Sequence, residues 1–292
     1  MTGTPVDPEK VALAPRDVRW EWSGLPAHYL DDDPVATHLI DAFHMLLPEG
    51  EIFFVQTFQE ALAHITDDAV RADVLGFIGQ EAVHSSSHQS VLDHFTAQGI
   101  DTTPYIRQVR WLFRGLLGDR HLSGKARYSW LVERVAVIAA LEHVTSYLGN
   151  WGLNATAWDE AMEPRMLDLL RWHLAEEVEH RHVAYDLFTH LDGSYRHRIR
   201  AHLVALPTFV FLTARGIRFM CGLDPDAPTG RWKQLRAYLA AAEKKLVPGP
   251  RDIAVMAFEY FRPGYHPSHY GSTSQAVAYL ASSPAAHAAM VS

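Results

Sequence analysis

Hydrophobic positions along the chain recur at helical spacing, and strand-like alternation is sparse. Asp33 and Pro34 supply an N-cap and a first helical residue, predicting a helix over 34 to about 47. Pro48 opens a second, to about 65. Asp67 and Asp68 suit the start of a long third, which ends at Gln98 and Gly99. A shorter amphipathic piece covers 105–117. Ser123 begins another long helix that Gly149 closes, and Glu163-Pro164 begins one that runs to Leu191. After a helix over 195–220, the stretch 223–229 reads as a loop, 230–246 as helix, 247–250 as a break and 251–260 as a last short helix. Beyond Arg262 no period is visible, predicting an irregular tail over 262–292. With no internal repeat, the pattern divides into a flexible extension over 1–17, one all-α domain over 18–261 and that tail.

Four of these helices carry acidic residues where a core-facing stripe is otherwise apolar. Glu51 is followed at i+3, i+4, i+7 and i+11 by Phe54, Val55, Phe58 and Leu62, so its face points inward. Glu60 lies about 180° further round at ~100° per residue, beside Gln56, Thr57 and His64, and is the solvated one. Glu81 and His84 share a face with Val74, Phe77 and Ile78. Glu142 follows Leu131, Val135, Ile138 and Ala139, with Glu133 opposite. In the run from Trp172 to His180, the residues His173, Glu177 and His180 fall on one face with Leu169, Leu170, Ala184 and Phe188.

An isolated buried carboxylate is expensive and shifts its pKa to shed its charge. Four of them, two with a histidine one turn later, call for a shared counter-charge, which a pair of divalent metal ions supplies. One Glu from each of two helices plus Glu-x-x-His from each of two others is the ligand pattern of dinuclear carboxylate bundles. Oxygen and imidazole donors without thiolate suit iron or manganese and admit zinc. A single Glu-x-x-His is an ordinary surface feature; two in register with two inward glutamates are not. The remaining histidines read as bland: His88, one turn beyond His84, as a hydrogen-bonded core residue ahead of a support behind the ligands, His143 and His182 as pointing off the ligand faces, and His64, His94, His190, His197 and His202 as surface or helix-end residues. The basic run Arg196-His197-Arg198-Ile199-Arg200 reads as a solvated face.

Composition narrows the class. The 292 residues are 48% apolar and 21% charged, enough to bury a large core, and the formal charge of -8 opposes sequence-independent nucleic-acid binding. A lone cysteine, Cys221, cannot form an intrachain disulfide, and the first residues lack the apolar stretch of a signal peptide. The longest apolar run, 203–212, contains Pro207 and falls short of the ~20 residues of a membrane span. The expectation is a cytoplasmic protein whose unusual feature is its 18 histidines.

At the acidic positions the chain resembles a bacterial family of predicted metal-dependent hydrolases. It shares that family's Pro-x-Gly-Glu-x-x-Phe block (Pro48 to Phe54), Phe-Ile-Gly-Gln-Glu-Ala-x-His (Phe77 to His84), Leu-Glu-His-x-Thr (Leu141 to Thr145) and Trp-His-x-x-Glu-Glu-x-Glu-His (Trp172 to His180). Arg-Pro-Gly-Tyr-His-Pro from Arg262 looks like the family's C-terminal end. The ligand positions, and those alone, are also similar to the dinuclear iron N-oxygenases that convert arylamines to nitro compounds, which add a third histidine four residues before the last Glu of the set. Carried over, that resemblance implies the ligands Glu51, Glu81, His84, Glu142, His173, Glu177 and His180.

The expected fold is therefore an all-α, ferritin-like helical bundle with a dinuclear metal site and additional C-terminal helices. The expected cofactor is two iron ions, with manganese or zinc as substitutes. The leading reading is an oxygen-activating oxidase or oxygenase acting on a small organic substrate such as an amine, its partners being dioxygen and an electron donor. The alternative is a metal-dependent hydrolase using a metal-activated water. Iron storage ranks last, since it calls for shell assembly. Aromatic residues such as Trp111, Phe113, Trp130 and Tyr147 could line a pocket or fill the core, and a homodimer is open.

Overall fold

The computed structural model describes residues 11–291. Four long helices form the bundle: α1 (Pro34–Ala61), α2 (Asp68–Ala97), α4 (Gly124–Leu153) and α6 (Pro164–His180). Between them lie α3 (Thr103–Arg110), which runs into a π-helical stretch at Trp111–Leu116, and the single turn α5 (Trp158–Ala161). After α6 come α7 (Val183–Leu191), α8 (Tyr195–Leu223), α9 (Arg231–Glu243), α10 (Pro250–Glu259), α11 (Thr273–Leu280) and α12 (Pro284–Val291). Among the described residues there is no strand, only an isolated bridge between Leu30 and Met162. The chain is all-α and fits a ferritin-like bundle.

Helix starts follow the capping chemistry. The Asp33 carboxylate accepts from the amides of Val35 and Ala36, Asp67 from Ala69 and Val70, and Glu163 from Arg165 and Met166. Ser123 stands at the N-cap of α4, yet its side chain makes no capping bond.

Interior breaks are where sequence and structure part. Pro48 does not start a new helix; α1 runs through it, because both flanks are buried and together outweigh the ~3 kcal/mol cost of an interior proline. Its carbonyl accepts from Ser85 Oγ at 3.1 Å. Gly149 does not end α4. A Cβ there would stand 2.8 Å from the Leu174 carbonyl oxygen, so this glycine lets α4 and α6 approach rather than capping anything. The long helix expected from Pro164 to Leu191 is interrupted at Arg181 and His182.

The ends are more ordered than the pattern suggests. Residues 11–17, expected within a flexible extension, lie against α2: a Cβ at Gly76 would fall 2.5 Å from Leu13 Cβ, and one at Gly79 would fall 3.1 Å from the Pro15 ring. The first ten residues lie outside the described part. Within the expected irregular tail, α11 and α12 pack on α6, where Asp168 accepts from Tyr279 Oη (3.1 Å), Ser283 Oγ (2.8 Å) and the Ala285 amide (3.1 Å). Two eight-residue helices, the second with four alanines, are too short to show a stripe; Asp168 supplies the order instead.

One helix, α8, is long and apolar enough by length and composition to cross a membrane, longer than the run expected from sequence. It packs along α1 and α4 and leaves Leu203, Val204 and Phe211 exposed.

A candidate dinuclear metal centre

The bundle brings all seven expected ligands into one buried space. Glu51 comes from α1, Glu81 and His84 from α2, Glu142 from α4, and His173, Glu177 and His180 from α6. Their donor atoms fall into overlapping groups within 4.8 Å: Glu51, Glu81 and His84; His84, His173 and Glu177; and Glu81, Glu142, Glu177 and His180. Glu81 and Glu177 therefore stand between two halves, with Glu51, His84 and His173 on one side and Glu142 and His180 on the other. His180 Nε2 lies 3.4 Å from Glu81, 3.5 Å from Glu142 and 3.6 Å from Glu177, and His84 Nδ1 lies 3.2 Å from Glu81.

Metal occupancy has a direct test in the unmet polar atoms. Both oxygens of Glu51 and of Glu81, one each of Glu142 and Glu177, His84 Nδ1 and His180 Nε2 are buried without a hydrogen bond. Such atoms are rare in a folded interior and costly, and these converge on the same space. Burial, then the Glu81 charge, pushes the Glu51 carboxyl well above its usual range; burial, then Glu177 and Glu81, does the same to Glu142. Burial works in the same direction on Glu177, but His180 and the hydrogen bond from His173 pull it well below. The carboxylates crowd one another while their free lone pairs converge, which is the situation a pair of cations resolves. The donor set fits iron or manganese, and zinc is compatible.

Two of the candidate imidazoles, His84 and His180, are oriented from behind. His84 Nε2 donates to Glu176 at 2.9 Å, and Glu176 is held by Arg16. His180 Nδ1 donates to Gln80 Oε1 at 3.1 Å, Gln80 donates to Glu179 at 3.2 Å, and Glu179 also receives Arg16 at 2.9 Å. These carboxylate and amide partners fix the ring tautomers, leaving His84 Nδ1 and His180 Nε2 bare toward the centre. Sequence reasoning missed Arg16, Gln80, Glu176 and Glu179. Glu176 and Glu179 flank a ligand and look like a solvated acidic run, while nothing near Arg16 marks it; the only available cue was that three glutamates cluster within four positions of a core helix.

Other expectations sort cleanly. Glu60 points outward to Arg127 (2.8 Å) and Arg134, as its facing requires. Glu133 pairs with Arg200 and His197. His88 is a hydrogen-bonded core residue, but its partner is the candidate ligand His173, Nε2 to Nδ1 at 2.5 Å, and its Nδ1 meets His44 Nδ1 at 2.8 Å. His143 turns away from the centre toward Tyr265 Oη (2.8 Å) and the Met256 carbonyl (2.7 Å), and His182 lies 3.4 Å from Asp73. Two expectations fail. His202 is buried, its Nε2 meeting the Ala257 carbonyl at 3.0 Å, and Arg198 is buried among Tyr185, Tyr260 and Tyr265 rather than solvated. Both sit on the face of α8 that α10 and the 260s segment cover, packing that a local charge run does not reveal.

No curated protein and no solved structure matches the chain. A family model does, over residues 14–271, a span that includes Arg16 and all seven inward side chains. The chain belongs to the family described as predicted metal-dependent hydrolase.

Proposed function

We propose that the seven side chains hold two iron ions and that the protein is an oxygen-activating oxidase or oxygenase of the cytoplasm. It acts on a small organic substrate and draws electrons from a separate donor. The observation that carries the dinuclear part of this reading is that Glu81 and Glu177 each belong to both halves of the cluster, where they would be shared by two metal ions. When bound, such a pair supplies two-electron chemistry with dioxygen.

The rest is the work of the chain. His84 and His180 each turn one ring nitrogen outward, to Glu176 and Gln80, and the other toward the centre. His173 adds a third imidazole, a donor that brings no further negative charge beside the four carboxylates. Phe77 stands edge-on to His180 at 4.8 Å between ring centres and Trp172 edge-on to His84 at 5.1 Å, walls that exclude water. The likeness to the arylamine oxygenases rests on these ligand positions.

The family description favours a second reading, a hydrolase in which the metals activate water. The deciding experiment is metal analysis of protein purified without added metal, followed by oxygen exposure of the anaerobically iron-loaded form. Iron content and an oxygen-dependent absorbance change support the oxygenase. Zinc alone, with no response to oxygen, supports the hydrolase.

A further inference from the structure

The candidate centre has an apolar approach. A cavity of about 150 Å³ reaches Glu51 along the seam between α4 and α8. From α4 it is lined by Val137, Leu141 and Thr145, one stripe at helical spacing, and from α8 by Ala205, Thr208 and Leu212. The π-helical stretch closes its third side with Phe113 and Leu116, and is fastened to α1 by Arg110 and Arg114 on Glu49 at 2.8 and 2.6 Å. Thr145 Oγ1 also reaches Glu142 Oε1 at 3.5 Å, so the cavity abuts both halves of the cluster. Glu51 is the one charged side chain on its wall. A cavity of this size and lining has room for a benzene-sized hydrocarbon group.

A second, larger cavity of about 410 Å³ continues along the same seam, past Leu148 on α4 and Thr213 and Ile217 on α8. Phe209 borders both, stacked on Phe43 with ring centres 5.8 Å apart. It is the partition between two apolar chambers in tandem.

Resting on the reading above that this is the reacting centre, we propose that the substrate presents a hydrocarbon chain to it. The chain lies along the α4–α8 seam, and Phe209 sets the length accepted. No side chain in the inner chamber would hold a charged head beside Glu51, so the polar end of the molecule stays away from the metals and the reacting carbon belongs to the apolar part.

The test uses metal-loaded full-length protein and uncharged probes, benzene, n-hexanol and n-decanol, with binding measured by calorimetry. Hexanol should bind the wild type and bind Thr208→Phe about tenfold more weakly at unchanged metal content, with Thr208→Val close to wild type. Phe209→Ala should tighten decanol relative to hexanol by joining the chambers. Should Thr208→Phe lose metal, Leu116→Arg repeats the test from a rim position that is 43% exposed. Hexanol binding that neither variant changes would overturn the proposal, as would a wild type that binds acetate or methylammonium in preference to all three probes. Oxygen reactivity is read separately: probe binding without it leaves the chain-binding seam standing and removes only the oxygenase.

Discussion

His88 Nε2 and His173 Nδ1 meet at 2.5 Å, and this contact decides which nitrogen His173 offers inward. If His173 donates, His88 donates onward to His44, and the run ends in His44 Nε2, which is buried without a partner. Burial and the neighbouring rings lower all three imidazoles, His44 to about 3, so the run is neutral. In the metal-free chain His173 Nε2 donates to Glu177 at 2.9 Å, so a metal taken up at that nitrogen would reverse the run. His173→Ala should keep most of the metal, because six ligands suffice for two ions, while changing the rate of the oxygen-dependent absorbance change. His88→Leu should shift that rate in the same direction. Rates unchanged in both variants would place His173 outside the coordination sphere.

Glu51 and Glu60 lie on one helix and opposite faces. Glu51→Ala should halve or abolish metal loading, measured by elemental analysis. Glu60→Gln should retain the metal and cost about 1–3 kcal/mol in urea unfolding, since it weakens the partner of buried Arg134.

Chelation should destabilise the protein unevenly. With the metals gone, four carboxylates crowd a dry space and relieve it by protonation or local opening. Helix α6 bears three of the seven candidate ligands together with Glu176 and Glu179, so amide exchange over Pro164–His180 should accelerate first. Exchange there that is indifferent to chelation would argue against a metal at this position.

A pH dependence resides far from the centre. His38 lies between Asp41 and Asp224, 2.8 Å from each; burial alone would lower its imidazole, but the two carboxylates override it and raise the ring above its ordinary value. The folded state thus holds this proton more tightly than the unfolded chain. The resulting stability is complete below the unfolded value of about 6.5 and is lost as pH rises through the raised folded value. Thermal unfolding from about pH 5 to 9 should show this decline in wild type and a flatter profile in His38→Gln. Equal slopes in the two proteins would contradict the assignment.

The inward faces were legible because each glutamate sits in an apolar stripe whose period is local: Glu51 among Phe54 and Phe58, Glu142 after Val135 and Ile138. Capping is equally local, which is why Asp33, Asp67 and Glu163 could be placed. What depends on partners distant in sequence was not legible. Pro48 and Gly149 carry a strong local signal for a break, and packing on α2 and α6 overrides it. Arg16 has meaning only beside Glu176, and His202 only under α10.

Arg16 closes on Glu176 across 160 residues, and α6 is the last to be synthesised of the four helices that carry candidate ligands. At ~5–20 residues per second, a nascent chain holds Glu51, Glu81 and Glu142 for seconds before His173 and His180 exist. Three acidic groups with a single imidazole, His84, crowd one dry space and need protonation or local opening, so the early helices should stay loosely packed. A metal held by all seven side chains would therefore be held only after α6 is complete and the chain has folded back upon its own beginning.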